Sequence, residues 1–139
     1  MTAADLVLNL KNDPAEIARL APLVTEFCAR RGLAEATAAQ LNLALDETIT
    51  NIIAYAYDDA GEHEITVRIS VVAGALTAEV IDDGREFDPL LVAAPDPAAP
   101  LAERRVGGLG IHLVRRLMDD IRYRREGARN HLVLAKRIA

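Results

Sequence analysis

Residues Leu41–Tyr57 read LNLALDETITNIIAYAY. The apolar content of this stretch predicts a helix that is buried. Yet Asp46, Glu47, Thr50 and Asn51 stand in its middle. Burying such groups without partners costs about 1–3 kcal/mol each, and more for a charge. Glu47 and Asn51 are four residues apart, so they lie one above the other on a single helical face. That face must meet protein polar groups, water, or a ligand that carries a cation. Asp46 lies about 100° around the helix and reads as a surface or structural acid.

Working outward, the 139 residues suffice for one compact domain spanning 1–139. About half of them are apolar. Trp is absent and aromatics are few, so the core must come from Ala, Leu, Ile and Val. The formal net charge of −5 argues against nucleic-acid phosphate as the main partner. A single cysteine, Cys28, excludes an intrachain disulfide and a cysteine-rich metal site, and its place on an apolar face marks it as core. No apolar run approaches the roughly 20 residues of a membrane span. The start MTAADLVLNLKND lacks the basic and apolar regions of a signal peptide. These features point to a cytoplasmic protein without membrane contact.

Asp5–Leu10 alternates and predicts a first strand. Asp13 and Pro14 form a helix start, with Asp13 as N-cap. Three/four spacing of Ile17, Leu20, Leu23, Val24, Phe27 and Cys28 predicts a helix over 15–31 that Gly32 ends. The second helix is expected over 34–56. Alternation over 64–72 and 76–82, around Ala73-Gly74, predicts a hairpin, and Asp82 continues its core-facing row. An irregular segment over about 83–108 reads as a lid. The run Val106–Gly110 reads as a glycine-rich turn leading into a helix over 111–118. A closing hairpin is expected from 121–126 and 132–138 around Gly127–Asn130. Strand pairs joined by short turns predict an α/β two-layer sandwich, a mixed and mostly antiparallel sheet with helices on one face.

Three clusters carry chemistry. Glu47 and Asn51 supply hard oxygen ligands suited to Mg²⁺, and a glutamate near a transferring phosphate can take a proton. Such a pair is common, and neighbouring protein groups could equally satisfy it. Asp82-Asp83-Gly84 follows a strand. Its first carboxylate could accept from an exocyclic amine such as that of adenine, or it could belong to an ordinary Asp-Gly turn. Arg85 and Glu86 read as solvated. Gly107-Gly108-Leu109-Gly110 frees backbone N–H groups at a helix entry and so resembles an anion site, though a hinge would use the same glycines. His63, His112 and His131 show no metal-ligand spacing and read as surface or packing residues.

In order and spacing, these clusters resemble the Bergerat-fold (GHKL) ATP-binding superfamily. Within it they resemble the small anti-sigma factors that are serine-protein kinases of partner-switching systems. The resemblance covers nearly the whole chain. It implies Glu47 as general base, Asn51 as Mg²⁺ ligand, Asp82 as the holder of the adenine amine with Gly84 under the ring, and Gly108-Leu109-Gly110 beside the phosphates. Arg104 and Arg105 fall in the implied lid, as phosphate contacts or as solvated loop charges. Glu86 departs from the pattern, which has a second glycine there. The implied function is an ATP- and Mg²⁺-dependent regulator that phosphorylates a serine on an anti-anti-sigma (STAS-type) partner and sequesters a sigma factor or similar client. Relatives with this fold often pair, so the resemblance allows a homodimer without fixing the oligomeric state. The alternatives are a nucleotide-binding switch without kinase activity and a stand-alone histidine-kinase-like domain.

Overall fold

The structure, a computed structural model, describes residues 5–59, 61–91 and 106–138, with 106–109 described in backbone only. Five strands and three helices follow the order β1 (Leu6–Lys11), α1 (Ala15–Arg30), α2 (Glu35–Tyr55), β2 (Glu64–Val72), β3 (Ala75–Asp82), α3 (Val106–Leu117), β4 (Asp120–Glu126) and β5 (Arg129–Arg137). A 3₁₀ turn at Pro89–Leu91 lies between β3 and α3. The sheet order is β1-β2-β3-β5-β4. All four neighbouring pairs are antiparallel, so the sheet expected to be mixed contains no parallel pair among the described strands.

The alternation expected of a half-buried sheet decides which face carries the core. One row runs Leu8–Val67–Val80–Leu132–Tyr123 across the five strands, and the next runs Leu6–Ile69–Ala78–Leu134–Ile121. These residues form one cluster with Leu20, Val24 and Cys28 of α1, with Leu41, Leu45 and Ile49 of α2, and with Val114 of α3. The helical members recur every four residues, which places them on one stripe of each helix. Fully burying each large apolar side chain contributes about 1.5–3 kcal/mol. Among the described residues no helix is long and apolar enough to cross a membrane.

Local signals act where the sequence put them. The Asp13 carboxylate accepts the Ala15 N–H at 3.0 Å, and Pro14 already has helical φ and ψ. At the other end of α1, Gly32 takes φ +71° while Leu33 N–H returns to the Cys28 carbonyl at 3.0 Å and Gly32 N–H to Ala29 at 3.1 Å. That is a Schellman ending. Ala73 and Gly74 both have positive φ, as a two-residue hairpin turn between right-twisted strands requires.

Two expectations need correction. The run Val106–Gly110 is helical, so α3 starts about one turn earlier than the glycines suggested. The closing turn is limited to Gly127-Ala128, and Arg129 and Asn130 are already in β5. Of the expected lid, residues 92–105 lie outside the described residues, Arg104 and Arg105 among them.

Candidate functional site

The core-facing face of the sheet ends in a polar row. Asp82 of β3 pairs in register with Asn130 of β5, which pairs with Arg125 of β4. Asp82 and Asn130 are buried, at 5% and 6% exposure. Asn130 holds this corner with both ends of its amide. Its nitrogen donates to Asp82 Oδ1 at 3.0 Å and to the Arg85 carbonyl at 2.8 Å. Its oxygen accepts from the Tyr123 hydroxyl at 2.5 Å and from Arg125 Nη1 at 3.1 Å. Partners of both kinds fix the orientation of the amide. Burial pushes the Asp82 carboxyl above its ordinary value, and the bonds from Asn130 and from Gly84 N–H, at 2.9 Å, oppose that shift.

The loop after Asp82 is clamped onto the carboxyl end of α2. Arg85 N–H donates to the Ala56 carbonyl at 2.9 Å. The Arg85 guanidinium donates through Nε to the Tyr55 carbonyl at 2.8 Å, and its Nη2 reaches the same oxygen. Arg85 is exposed as expected, and it also satisfies a helix-end carbonyl and complements the helix dipole. Gly84 permits the clamp. A methyl group there would stand 2.5 Å from Ala56 Cβ and 2.6 Å from its carbonyl oxygen. The close approach that Gly84 allows in this structure is to Ala56. Glu86 is exposed and has negative φ, so it takes the place of the usual glycine without backbone strain.

Farther along α2, Glu47 and Asn51 face α3. A methyl group on Gly110 would stand 2.7 Å from Glu47 Oε2 and 3.2 Å from Asn51 Nδ2. The first and third clusters therefore meet at Gly110. Asn51 Nδ2 is buried and has no hydrogen-bond partner among the described residues. Turning that amide over would aim a hard oxygen donor into the same place. An orphaned carboxamide beside a carboxylate fits a Mg²⁺ ion with its waters. Gly108 and Leu109 lie in the first turn of α3. From Glu47 to Ala56, α2 rises about 13 Å at 1.5 Å per residue, so one helix holds the Asp82 corner and the Gly110 corner apart.

Tyr57 joins the Asp82 end. Its ring stacks on His63 at a centroid distance of 4.1 Å. Its hydroxyl is buried without a partner among the described residues. Burial raises the phenol's pKa, and the nearby Asp82 and Asp83 charges raise it further. His63 lies between two carboxylates, with Nε2 2.8 Å from Asp59 and Nδ1 3.2 Å from Asp83. Sequence reasoning missed Asn130, Tyr57 and the role of Arg85. Asn130 was legible in principle, because Asn130, Leu132 and Leu134 alternate onto one face.

Comparison with known proteins identifies the family. A family model described as a histidine kinase-like ATPase domain matches residues 10–136. The serine-protein kinase RsbW of Listeria monocytogenes (strain HCC23) is 32% identical over 123 residues, covering 84% of this chain and 76% of its own length. The serine/threonine-protein kinase BtrW of Bordetella bronchiseptica is 28% identical over 99 residues, covering 71% of this chain and 70% of its own length. The crystal structure of the RsbU and RsbW domains of a Mycobacterium tuberculosis protein shares the fold. Its TM-score is 0.67 at 19% identity, covering 97% of this chain and 32% of that one. The class is thus an ATPase domain of the histidine-kinase type. Within that class, the chain belongs to the family of RsbW-type serine-protein kinases.

Proposed function

We propose that the chain is an ATP-dependent kinase that phosphorylates a serine of an anti-anti-sigma (STAS-type) protein and, in the partner's unphosphorylated absence, holds a sigma factor or similar client. The observation that carries this reading is the meeting of Glu47, Asn51 and Gly110 on one side of α2, with the buried Asp82 at the far end of the same helix.

Asp82 accepts from the adenine amine, and the Asn130 and Gly84 bonds hold its carboxylate in position for this. Asn51 would hold Mg²⁺ through its carboxamide oxygen, and the ion when bound offsets charge on the phosphates. Backbone amides near Gly108 and Gly110 lie beside the phosphates, with Leu109 between them. Arg104 and Arg105 are assigned to the phosphate side of the lid by sequence alone. Glu47 takes the proton from the incoming serine hydroxyl. The serine oxygen then bonds to the γ-phosphorus, the bond from that phosphorus to the β–γ bridging oxygen breaks, and ADP leaves with the electron pair.

The test combines this protein, γ-labelled ATP and Mg²⁺ with the STAS-type protein encoded beside it. Label on one serine of the partner is expected, and Glu47→Gln lowers the rate by about 100-fold or more while ATP still binds. Absence of labelled serine under conditions where ATP binds would overturn the kinase reading.

A further inference from the structure

On the solvent side of the helix layer, a cleft of about 620 Å³ runs between α1 and α2. Ile17, Ala18 and Ala21 line one wall at helical spacing, and Leu43 lines the other. Leu43 is 42% exposed although the neighbouring positions Leu41, Ala44 and Leu45 are fully buried. An apolar side chain on the outer face of an otherwise inward-facing helix leaves apolar area in contact with water.

The donors around this cleft are committed within it, and what remains is acceptors. Asp46 lines it and is exposed, its Oδ1 taking the Thr50 hydroxyl at 3.2 Å. Asn42 commits its amide nitrogen to the Ala21 carbonyl at 3.3 Å and to Thr25 Oγ1 at 3.0 Å. Its Oδ1 is buried without a donor among the described residues. Pro22 sits inside α1 and has no N–H, so the Ala18 carbonyl lacks its usual helical donor. Among the described residues no Lys or Arg lines the cleft. Because the short 31–34 turn makes α1 and α2 antiparallel and Ala21 meets Asn42, Asp46 lies toward the end where Pro14 opens the cleft. Asp13, beside Pro14, adds a second exposed carboxylate at that end. The cleft is therefore apolar along its length and acidic at one end.

We propose that this cleft docks an amphipathic helix of a partner protein, whose apolar side chains enter between α1 and α2 and whose Arg or Lys meets Asp46 and Asp13. A helix that lies in such a groove presents its own apolar anchors at i, i+3, i+4 and i+7, which would pack against Ile17, Ala21 and Leu43. Charge complementarity then sets which partner binds and in which direction. A second copy is the weaker candidate, since a symmetric contact through this face would bring the exposed Asp46 and Asp13 of two chains of net charge −5 together. The face used, at Asp46, is about 100° around α2 from Glu47, so docking and nucleotide binding are separate events.

The experiment uses the isotope-labelled full chain and three synthetic helical peptides. One carries a Leu stripe with Arg at both ends, one the same stripe with Glu at both ends, and one Arg ends with Ser in place of Leu. The Leu/Arg peptide is expected to shift the amide signals of Ala18, Ala21, Leu43 and Asp46 and to bind about tenfold more tightly than the Glu form. Asp46→Lys should abolish that preference. Leu43→Ala and Leu43→Glu should weaken binding with unchanged thermal melting, while the ATP-induced shift at Gly110 persists. No binding, equal affinity for the Arg and Glu forms, or shifts on another face overturn the proposal. So do concentration-dependent shifts of the cleft without peptide, which would assign it to a second copy. Loss of the ATP-induced shift alone would count against the kinase reading and leave the docking cleft standing.

Discussion

Asn130 lies directly across the sheet from Asp82 and donates its amide hydrogen to Asp82 Oδ1 at 3.0 Å. The same side chain also holds the loop after β3 through the Arg85 carbonyl and accepts from Tyr123 and Arg125. Asn130→Ala removes all of these contacts and leaves a buried carboxylate less well solvated. A loss of about 2–4 kcal/mol is expected in urea-induced unfolding, with a further rise in the Asp82 pKa. A loss below 1 kcal/mol would show that water replaces the amide.

On the proposed adenine contact, Asp82 trades stability for recognition. Its carboxyl is raised in the folded protein, chiefly by burial. Such a group contributes stability that is complete below its unfolded value near 3.8 and is lost as the pH rises through its folded value. At neutral pH the ionised form is therefore a burden. Asp82→Asn keeps an acceptor for Asn130 and Gly84 and removes the charge. The variant is expected to melt at an equal or higher temperature near neutral pH, with the advantage gone by about pH 4. Calorimetry should find ATP binding lost, because the new N–H₂ group faces the adenine amine.

Two glycines separate packing from chemistry. A methyl group at Gly84 meets Ala56 backbone and Cβ, which cannot turn aside. Gly84→Ala should destabilise by about 1–3 kcal/mol. A methyl group at Gly110 meets the ends of Glu47 and Asn51, which can turn aside. Inside a helix, glycine costs about 1 kcal/mol relative to alanine. Gly110→Ala should therefore leave stability unchanged or raised while phosphorylation of the partner falls sharply. Parallel melting and kinase assays on the two variants read out the contrast.

The His63 pair predicts a pH signature of its own. Its hydrogen bond to Asp59 raises the imidazole above its ordinary value of 6.5, and Asp83 adds to this. A histidine raised in this way contributes stability that is fully present below its unfolded value and is lost as the pH rises through the folded one. The Asp59 carboxyl is correspondingly lowered, mainly by His63, so its share is lost as the pH falls through that lower value. Proton NMR titration should place the His63 midpoint above 6.5, and Asp59→Asn should bring it down. An unchanged midpoint in Asp59→Asn would mean that another group sets it.

The strands, the first two helices and the Ala73-Gly74 turn were legible in the chain because each rests on local signals: alternation, three/four spacing and a turn that needs positive φ. The start of α3 was misplaced because three glycines among its first five residues speak locally against a helix, while contact with α2 favours one. Glu47, Asn51 and Asp82 stood out as polar residues on apolar faces. Their supporting groups did not. Arg85 looks like a solvated loop residue until the carbonyl of Tyr55, thirty positions earlier, is brought beside it. Tyr57 and His63 likewise carry no periodic signal, because their stack forms only when the end of α2 meets the start of β2.

The strand order also sets a sequence of assembly. β1 and β2 pair around α1 and α2, β2 and β3 pair through the Ala73-Gly74 turn, and β3 receives β5 from the far side of α3, with Asn130 48 residues from Asp82. A chain made on the ribosome presents its N-terminal part first, so β5, the last strand in the order, is the last to reach its place beside β3. An unfinished molecule can thus hold most of its core while Asp82, the carboxylate we assign to adenine, still lacks its Asn130 partner. Competence for nucleotide arrives with the last hairpin, so ATP binding reports the completed fold and gives partly folded chains no ligand stabilisation.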